Sequence, residues 1–316
     1  MDERRTGVLS ELKLSVPWGH IAAKAWGSLQ GPPVLCLHGW LDNANSFDRL
    51  IPLLPQTFHY VAMDFGGHGF SSHHHPGFTY HQHDFVNEVR RVAAALNWKR
   101  FSLLAHSFGG VVGGMFSCTF PEMVDKLILL DSAPFFLDSL EKENILTYKR
   151  HNIEHVLEME AKQHKPPKVV SPQEMLQSFL KNNIQVGEEC GKLLLERGTT
   201  KMAEGLVLNR DRRLGLPENN FEVISKEQLE YFCKKIQARI LIVKASQGLS
   251  YFRLLRKGEN PKSMETVLNV LKSTLQERYK FVEVTGNHYV HMQEPHKVAE
   301  LISDFLESNQ DLQSHL

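Results

Sequence analysis

The sequence predicts an α/β fold in which a mostly parallel, doubly wound sheet carries an inserted helical segment. Short, almost fully apolar stretches alternate with stretches of helical spacing over residues 34–130, and the alternation resumes at residue 238. Fully apolar strands are typical of parallel sheets that helices cover on both faces. Residues 134–237 differ, because they are charged, mostly helical in spacing and without a convincing strand. We therefore expect a helical cap inserted into one α/β core.

The elements of the core follow from hydrophobic spacing and from turn residues. Leu12 to Trp26 alternates loosely around a turn at residues 17–20, which predicts an opening hairpin. The further core elements predicted in order are strand 34–37, helix 46–54, strand 58–63, helix 84–96, a strand from residue 101, a helix to residue 120, strand 124–130, strand 238–243, a helix near 261–276, strand 281–284 and helix 295–306. The cap is predicted to contain helices at 139–164, 171–182 and 186–197. The resulting organisation is core 1–133, cap 134–237, core 238–310 and tail 311–316.

Composition excludes several classes of protein. The 316 residues have 42% apolar and 23% charged side chains and a formal net charge of zero, without a basic stripe, which argues against a nucleic-acid partner. No apolar stretch follows the charged first residues, and none approaches the length of a membrane span, so neither a signal peptide nor a transmembrane helix is expected. The four cysteines are far apart and lack metal-site spacing, which favours reduced core thiols in an intracellular protein.

Ser107 lies at the point where a predicted apolar strand turns directly into a glycine-rich helix. Ala105 stands two residues before it and Gly109 two residues after it. A serine on such a sharp turn needs small neighbours on both sides, and this pattern is typical of a nucleophile elbow. The N-terminus of the following helix favours an anion that forms beside the serine. We predict that Ser107 is a catalytic nucleophile.

A serine nucleophile needs a base, and His288 is the leading candidate among 17 histidines. His288 follows an apolar strand near the flexible Gly286, and a nucleophile before the histidine is the expected chain order. His291 is the alternative base. The oxyanion would be held by backbone N–H groups of Phe108, directly after the nucleophile, and of Trp40, in the loop after strand 34–37. His38 in that loop is expected to bond the backbone.

The acid that orients the base stays open at this point. No carboxylate stands directly after strand 238–243, and the first one in that direction is Glu259. Asp131 stands at the end of the strand that follows the elbow helix, where a carboxylate can reach the same imidazole nitrogen. We favour Asp131, with Glu259 as the alternative and the absence of any acid as the third possibility.

Three conspicuous motifs are interpreted as structural. The loop 64–71, with three glycines between Asp64 and Ser71, is expected to satisfy its own amides and to cross near the elbow. The histidines at 73–75, with His81 and His83, lie in a Pro/Gly loop and are interpreted as solvated side chains, not as a metal site. The glycine pairs 109–110 and 113–114 fit no phosphate-binding motif and favour close packing of helix on sheet. No metal or organic cofactor is expected.

The chain ends in Ser314-His315-Leu316, which fits the small–basic–Leu form of the peroxisomal address. These residues end a polar tail beyond the last predicted helix, where an import receptor could bind them. We expect a peroxisomal protein, with the cytoplasm as the alternative.

These motifs together resemble those of the AB-hydrolase superfamily, the α/β-hydrolase fold. Within it, the segments 39–43 and 105–110 look like those of the serine hydrolase-like proteins. The resemblance spans the whole chain and implies an eight-stranded core, a helical cap, and catalytic positions at Ser107 and His288. Epoxide hydrolases and haloalkane dehalogenases have similar loops and caps but an aspartate at the position of Ser107, so their chemistry is not expected here. Some dehalogenases place the orienting acid at the strand end that matches Asp131.

The function expected from the sequence is hydrolysis of a carboxylic ester or thioester through an acyl-enzyme on Ser107. The partner is then a small ester or acyl substrate. Two alternatives remain: a non-catalytic hydrolase fold that binds a ligand or a partner, and another hydrolase-fold reaction such as C–C bond hydrolysis.

Overall fold

The strands of the molecule fall into one large sheet and two small ones. The computed structural model describes residues 8–137, 145–162, 166–215, 222–248 and 262–308. Its strands are, in chain order, Val8–Val16 (β1), Gly19–Gly27 (β2), Pro33–Leu37 (β3), His59–Met63 (β4), Phe101–His106 (β5), Val124–Leu130 (β6), Phe136–Leu137 (β7), Thr199–Met202 (β8), Gly205–Leu208 (β9), Val223–Ile224 (β10), Arg239–Gln247 (β11) and Tyr279–Asn287 (β12). Eight of them form a sheet of order β1-β2-β4-β3-β5-β6-β11-β12, in which the pairs from β4 to β12 are parallel.

Helices cover both faces of this sheet. They are Gln82–Ala95 (α1), Phe108–Thr119 (α2), Ile145–Ala161 (α3), Pro172–Asn182 (α4), Glu188–Gly198 (α5), Lys226–Lys235 (α6), Lys262–Leu275 (α7), Val290–Gln293 (α8) and His296–Glu307 (α9). One buried cluster joins α1, α2, α6 and α7 to the sheet, and a second one joins α9 to the opposite face. The α/β architecture and the opening β1–β2 hairpin predicted from the sequence are therefore confirmed.

The helix predicted at residues 46–54 is wrong. The chain forms two single turns of 3-10 helix instead, at Ala44–Phe47 and Ile51–Leu53. Pro52 cannot donate a helical hydrogen bond, and Pro55 disfavours helical geometry at the residue before it. Leu54 is accordingly extended, with ψ of 162°.

Residues 134–237 contain strands that the sequence analysis did not expect. β8 and β9 form an antiparallel hairpin, and β7 pairs with the distant β10. The helices α4 and α5 pack on each other, and α5 also packs on the 3-10 turn at Ala44–Phe47. In contrast, α6 packs on α2 and α7 and adds Leu229 and Cys233 to the core.

An ion-pair cluster with a buried arginine and a buried aspartate ties α5 to the core. The Arg197 guanidinium lies 2.8 Å from a carboxylate oxygen of Asp64 and 2.8 Å from one of Glu11. Asp64 also accepts hydrogen bonds from the backbone N–H groups of Ala44 and Phe70. The loop 64–71 therefore has the architectural role that the sequence predicts.

All four cysteines are free thiols, and Cys36, Cys190 and Cys233 are buried. Within the described ranges, no helix combines the length and the apolar character that crossing a bilayer requires. Glu259 and the terminal residues 314–316 lie outside the described part of the chain.

Candidate active site

Ser107 occupies a strained turn between β5 and α2. Its backbone has φ of 54° and ψ of −122°, a conformation that is costly for any residue with a side chain. The six residues of β5 are all buried, and α2 begins at Phe108 without an intervening loop. A Cβ atom on Gly109 would lie 2.3 Å from the backbone oxygen of Leu37, so only glycine allows the turn to come this close to β3. The neighbouring strand therefore explains the glycine two residues after the serine.

The structure brings Ser107, His288 and Asp131 together, although they are up to 181 positions apart in the chain. The His288 Nε2 atom lies 2.9 Å from Ser107 Oγ, and its Nδ1 atom lies 2.6 Å from Asp131 Oδ2. All three residues are buried. A carboxylate that accepts from Nδ1–H selects the tautomer in which Nε2 accepts the serine proton. The three side chains thus form one hydrogen-bonded series that ends at the serine hydroxyl.

The protonation states suit this arrangement. Burial lowers the pKa of His288 below its ordinary value of 6.5, although the hydrogen bond to Asp131 opposes this effect. Burial alone would raise the pKa of Asp131, but the hydrogen bonds from His288 and Lys244 and the charge of Lys244 outweigh it and hold that pKa below its ordinary value. At neutral pH the imidazole is therefore uncharged and the carboxylate is ionised.

The end of β11, where the sequence offers no carboxylate, is built around the carboxylate of Asp131. The Lys244 ammonium pairs with Asp131 Oδ1, and the Ala245 N–H donates to the same oxygen at 3.1 Å. A Cβ atom on Gly248 would lie between 2.2 and 2.5 Å from the carboxylate atoms of Asp131. The sequence analysis assigned no role to Lys244 or Gly248. The signal that could have identified these two residues is their position directly after strand 238–243, where a carboxylate is expected and none stands.

Two further residues that the sequence analysis missed hold the backbone of His288. Gln185, in the loop between α4 and α5, accepts from the His288 N–H at 3.0 Å through its Oε1 atom. His106, next to the serine, donates from Nε2 to the His288 carbonyl oxygen at 2.9 Å. Asp42 Oδ2 lies 3.7 Å from the other ring nitrogen of His106. The histidine loop is thus fixed both from the loop between α4 and α5 and from β5.

Trp40 and Phe108 both lie beside Ser107. A Cβ atom on Gly39, the residue before Trp40, would lie 3.2 Å from the Ser107 Cβ atom. Phe108 is the first residue of α2, and its ring packs edge-on against the Trp40 indole, with centroids 4.9 Å apart. The donation of their backbone N–H groups to an oxyanion stays a prediction. His38 has the structural role expected of it, since its Nε2 atom accepts from the Phe65 N–H and its Nδ1 atom donates to Gly39.

The remaining histidine candidates have other partners. His291 is buried, with Nε2 at 3.0 Å from Ser46 Oγ and its ring against His106. The sequence analysis interprets His74 as a solvated side chain, and this is wrong. The His74 ring packs on Tyr80 and lies 3.2 Å from a buried Glu88 carboxylate oxygen. The aromatic ring and the carboxylate beside this loop are distant in sequence, which is why the pattern did not reveal them. In the described part of the chain, no three His, Cys, Asp or Glu side chains are placed to hold a metal ion together.

Comparison with known proteins places the chain in a family. Residues 32–295 match the family described as alpha/beta hydrolase fold. The chain is 61% identical to the serine hydrolase-like protein of Mus musculus, over 98% of this chain and 99% of that relative. It is 62% identical to serine hydrolase-like protein 2 of Homo sapiens, over 98% of both chains. A crystal structure of a hypothetical protein from Pseudomonas aeruginosa PAO1 superposes with a TM-score of 0.81 at 28% identity, covering 95% of this chain and all of the other. The chain therefore belongs to the α/β-hydrolase fold family and, within it, to the serine hydrolase-like proteins.

Proposed function

We propose that this protein is a serine hydrolase that cleaves a carboxylic ester or thioester through an acyl-enzyme on Ser107. The observation that carries the proposal is the hydrogen-bonded series from Asp131 through His288 to the Ser107 hydroxyl. The strained backbone at Ser107 supports it, because such strain is concentrated at functional positions. The lowered pKa of His288 adds to this, since a base must be uncharged to accept a proton at neutral pH.

The proposed reaction needs only groups of this chain and water. His288 Nε2 takes the hydroxyl proton while Ser107 Oγ bonds to the carbonyl carbon, and Asp131 stabilises the imidazolium. Backbone N–H groups of Trp40 and Phe108 would hold the oxyanion. The imidazolium gives its proton to the leaving alcohol or thiol as the carbon–heteroatom bond breaks. Water then attacks the acyl-enzyme, with His288 again as base, and releases the carboxylic acid and the free serine.

A fluorophosphonate probe tests this proposal, because it labels only an activated serine. We expect labelling of the purified wild type and none of Ser107→Ala or His288→Ala. Ser303→Ala is a matched control and should be labelled normally. If the folded wild type takes no label, the protein is not a serine hydrolase and a binding role is favoured.

Once labelling is established, the substrate is defined by assaying p-nitrophenyl esters and acyl-CoA thioesters of increasing chain length. Turnover of diketones without turnover of esters would indicate C–C hydrolysis.

We also propose that Ser314-His315-Leu316 directs the protein to peroxisomes through the import receptor. The fit of these residues to the small–basic–Leu address supports this. A fluorescent protein fused to the N-terminus leaves this address free. The fusion should colocalise with a peroxisomal marker, and a variant that ends at Gln313 should be diffuse in the cytoplasm. A diffuse signal from the full chain contradicts the proposal.

A further inference from the structure

A large cavity lies apart from the proposed active site. It is lined by the loop at residues 73–81, by α3, and by residues 207–213 at the end of β9 and after it, and its volume is about 830 Å³. Small-molecule sites are typically about 300–1,000 Å³. Ser107, His288 and Asp131 are not among the residues that line it.

The wall of this cavity has an unusual number of exposed apolar side chains. Phe78, Ile153 and Leu157 all line it, and 66%, 61% and 53% of their surfaces are exposed. Val207 and Leu208 continue the same apolar wall. Large apolar side chains that are exposed together, with polar groups at the rim, mark binding surfaces. The wall therefore suits a flexible hydrocarbon chain.

The three arginines that line the cavity differ in their partners among the described residues. The Arg213 guanidinium pairs with Asp211, and Arg212 donates to the Pro166 carbonyl oxygen. Arg210 is half-buried in the same wall and has no hydrogen bond or ion pair to any other described residue. Glu160 also lines the cavity but is exposed on α3 and forms no such pair with Arg210.

We infer that this cavity binds a long-chain carboxylate, with its head group on Arg210 and its chain along the apolar wall. Guanidinium and carboxylate match in a planar, bidentate geometry, which favours a carboxylate over a neutral head group. Arg210 is the lining arginine without a hydrogen bond or ion pair to a described residue, and the described lining contains no glycine-rich loop, so the site fits a monoanion better than a phosphate. The inference does not rest on the proposed function, because Ser107, His288 and Asp131 do not line this cavity.

Titration of the full-length protein with dansylated undecanoic acid tests the inference, since the dansyl fluorescence rises in an apolar site. Dodecanoate should displace the probe, and dodecanol should do so at least about 10-fold less well, because a hydrogen bond to a charged group is lost. Arg210→Gln should weaken binding by about 10-fold or more, whereas Arg100→Gln, at an exposed ion pair with Asp125, should not change it.

A second pair of variants tests the apolar wall without disturbing the core. Ile153→Glu places a charge in the wall and should abolish probe binding. Leu146→Glu is the matched control, because Leu146 is 77% exposed on the same helix and does not line the cavity. Ser107→Ala should bind the probe like the wild type. Unchanged affinity in Arg210→Gln or in Ile153→Glu, or loss of binding in Ser107→Ala, would overturn the inference, and fluorophosphonate labelling of Arg210→Gln reports separately on Ser107.

Discussion

The ends of β6 and β11 are neighbours in the sheet and contribute to the candidate site in opposite ways. β6 ends in Asp131, whose carboxylate reaches His288, and the Asp131 N–H is bonded to Val243 of β11 at 2.8 Å. β11 contributes no carboxylate. Its end supplies the positive charge of Lys244 and the Ala245 N–H. The adjacent Gly248, which has no side chain, leaves the space that the Asp131 carboxylate occupies. The end of β6 can therefore provide the acid because the adjacent end of β11 leaves space for it and stabilises its charge.

The largest expected effect follows from replacing the acid itself. Asp131→Asn keeps the shape of the side chain but removes the charge and disturbs the tautomer of His288, so kcat should fall by roughly 10³–10⁴-fold. Steady-state kinetics on whichever ester proves to be a substrate, with circular dichroism as a check of folding, measures this. Activity within 10-fold of the wild type would mean that another group orients the histidine.

The second largest effect is expected from filling the space that Gly248 leaves for the Asp131 carboxylate. Gly248→Ala places a methyl group where the Asp131 carboxylate lies, so the carboxylate must move and kcat should fall by about 10²-fold. Gly215→Ala is the matched control, because no atom of the described residues lies within 4 Å of the added Cβ atom there. Equal kinetics of Gly248→Ala and the wild type would show that the position of the carboxylate is not critical.

A double variant tests whether the two strand ends can exchange roles. The double variant combines Asp131→Ala with Gly248→Asp. The Cβ atom of the new aspartate then lies where the Asp131 carboxylate was, so its own carboxylate is close to His288. Charge at that place should again orient His288, and kcat should recover about 10-fold relative to Asp131→Ala alone. The comparison of the two variants in one assay decides this, and equal rates would show that only β6 holds a carboxylate in the required geometry.

The smallest effect concerns Lys244 and is measured as a pH profile. Because the reaction needs uncharged His288 and its pKa is lowered, the acid limb of kcat/KM in the wild type should lie below pH 6.5. Lys244 offsets part of the Asp131 charge, so Lys244→Met should raise the pKa of His288 and move this limb to higher pH. The change at neutral pH should be only a few-fold. Lys192→Met, at an exposed pair with Glu188, should keep the wild-type profile, and a shift of Lys244→Met to lower pH contradicts the argument.

The sequence predicts best those elements whose burial is uniform along a short stretch. The six residues of β5 are all buried, so a plain apolar pattern identified the strand and the turn at Ser107 after it. The hairpin of β8 and β9 has no fully buried residue, which leaves no alternation of buried and exposed positions for a sequence pattern to detect. Apolar spacing alone predicts a helix at 46–54, but Pro52 and Pro55 interrupt helical geometry there.

The site residues that could be predicted are those that a local sequence pattern identifies. Ser107 carries a local signature, and His288 follows a strand in the expected order. The choice among Asp131, Glu259 and no acid depended on a contact between residues 157 positions apart, which local pattern does not report. Gln185 was missed for the same reason, since it approaches His288 from a loop of the cap.

The ion-pair cluster of Arg197, Asp64 and Glu11 has a consequence for the modularity of this molecule. Removal of the segment that carries α5 would leave the Asp64 carboxylate buried without its cation, a state that costs several kcal/mol. The segment that carries α5 is therefore not an interchangeable part. A chimera that takes this segment from another member of the family must bring an arginine to this position or replace Asp64 at the same time, so the segment and the core have to be redesigned as one unit.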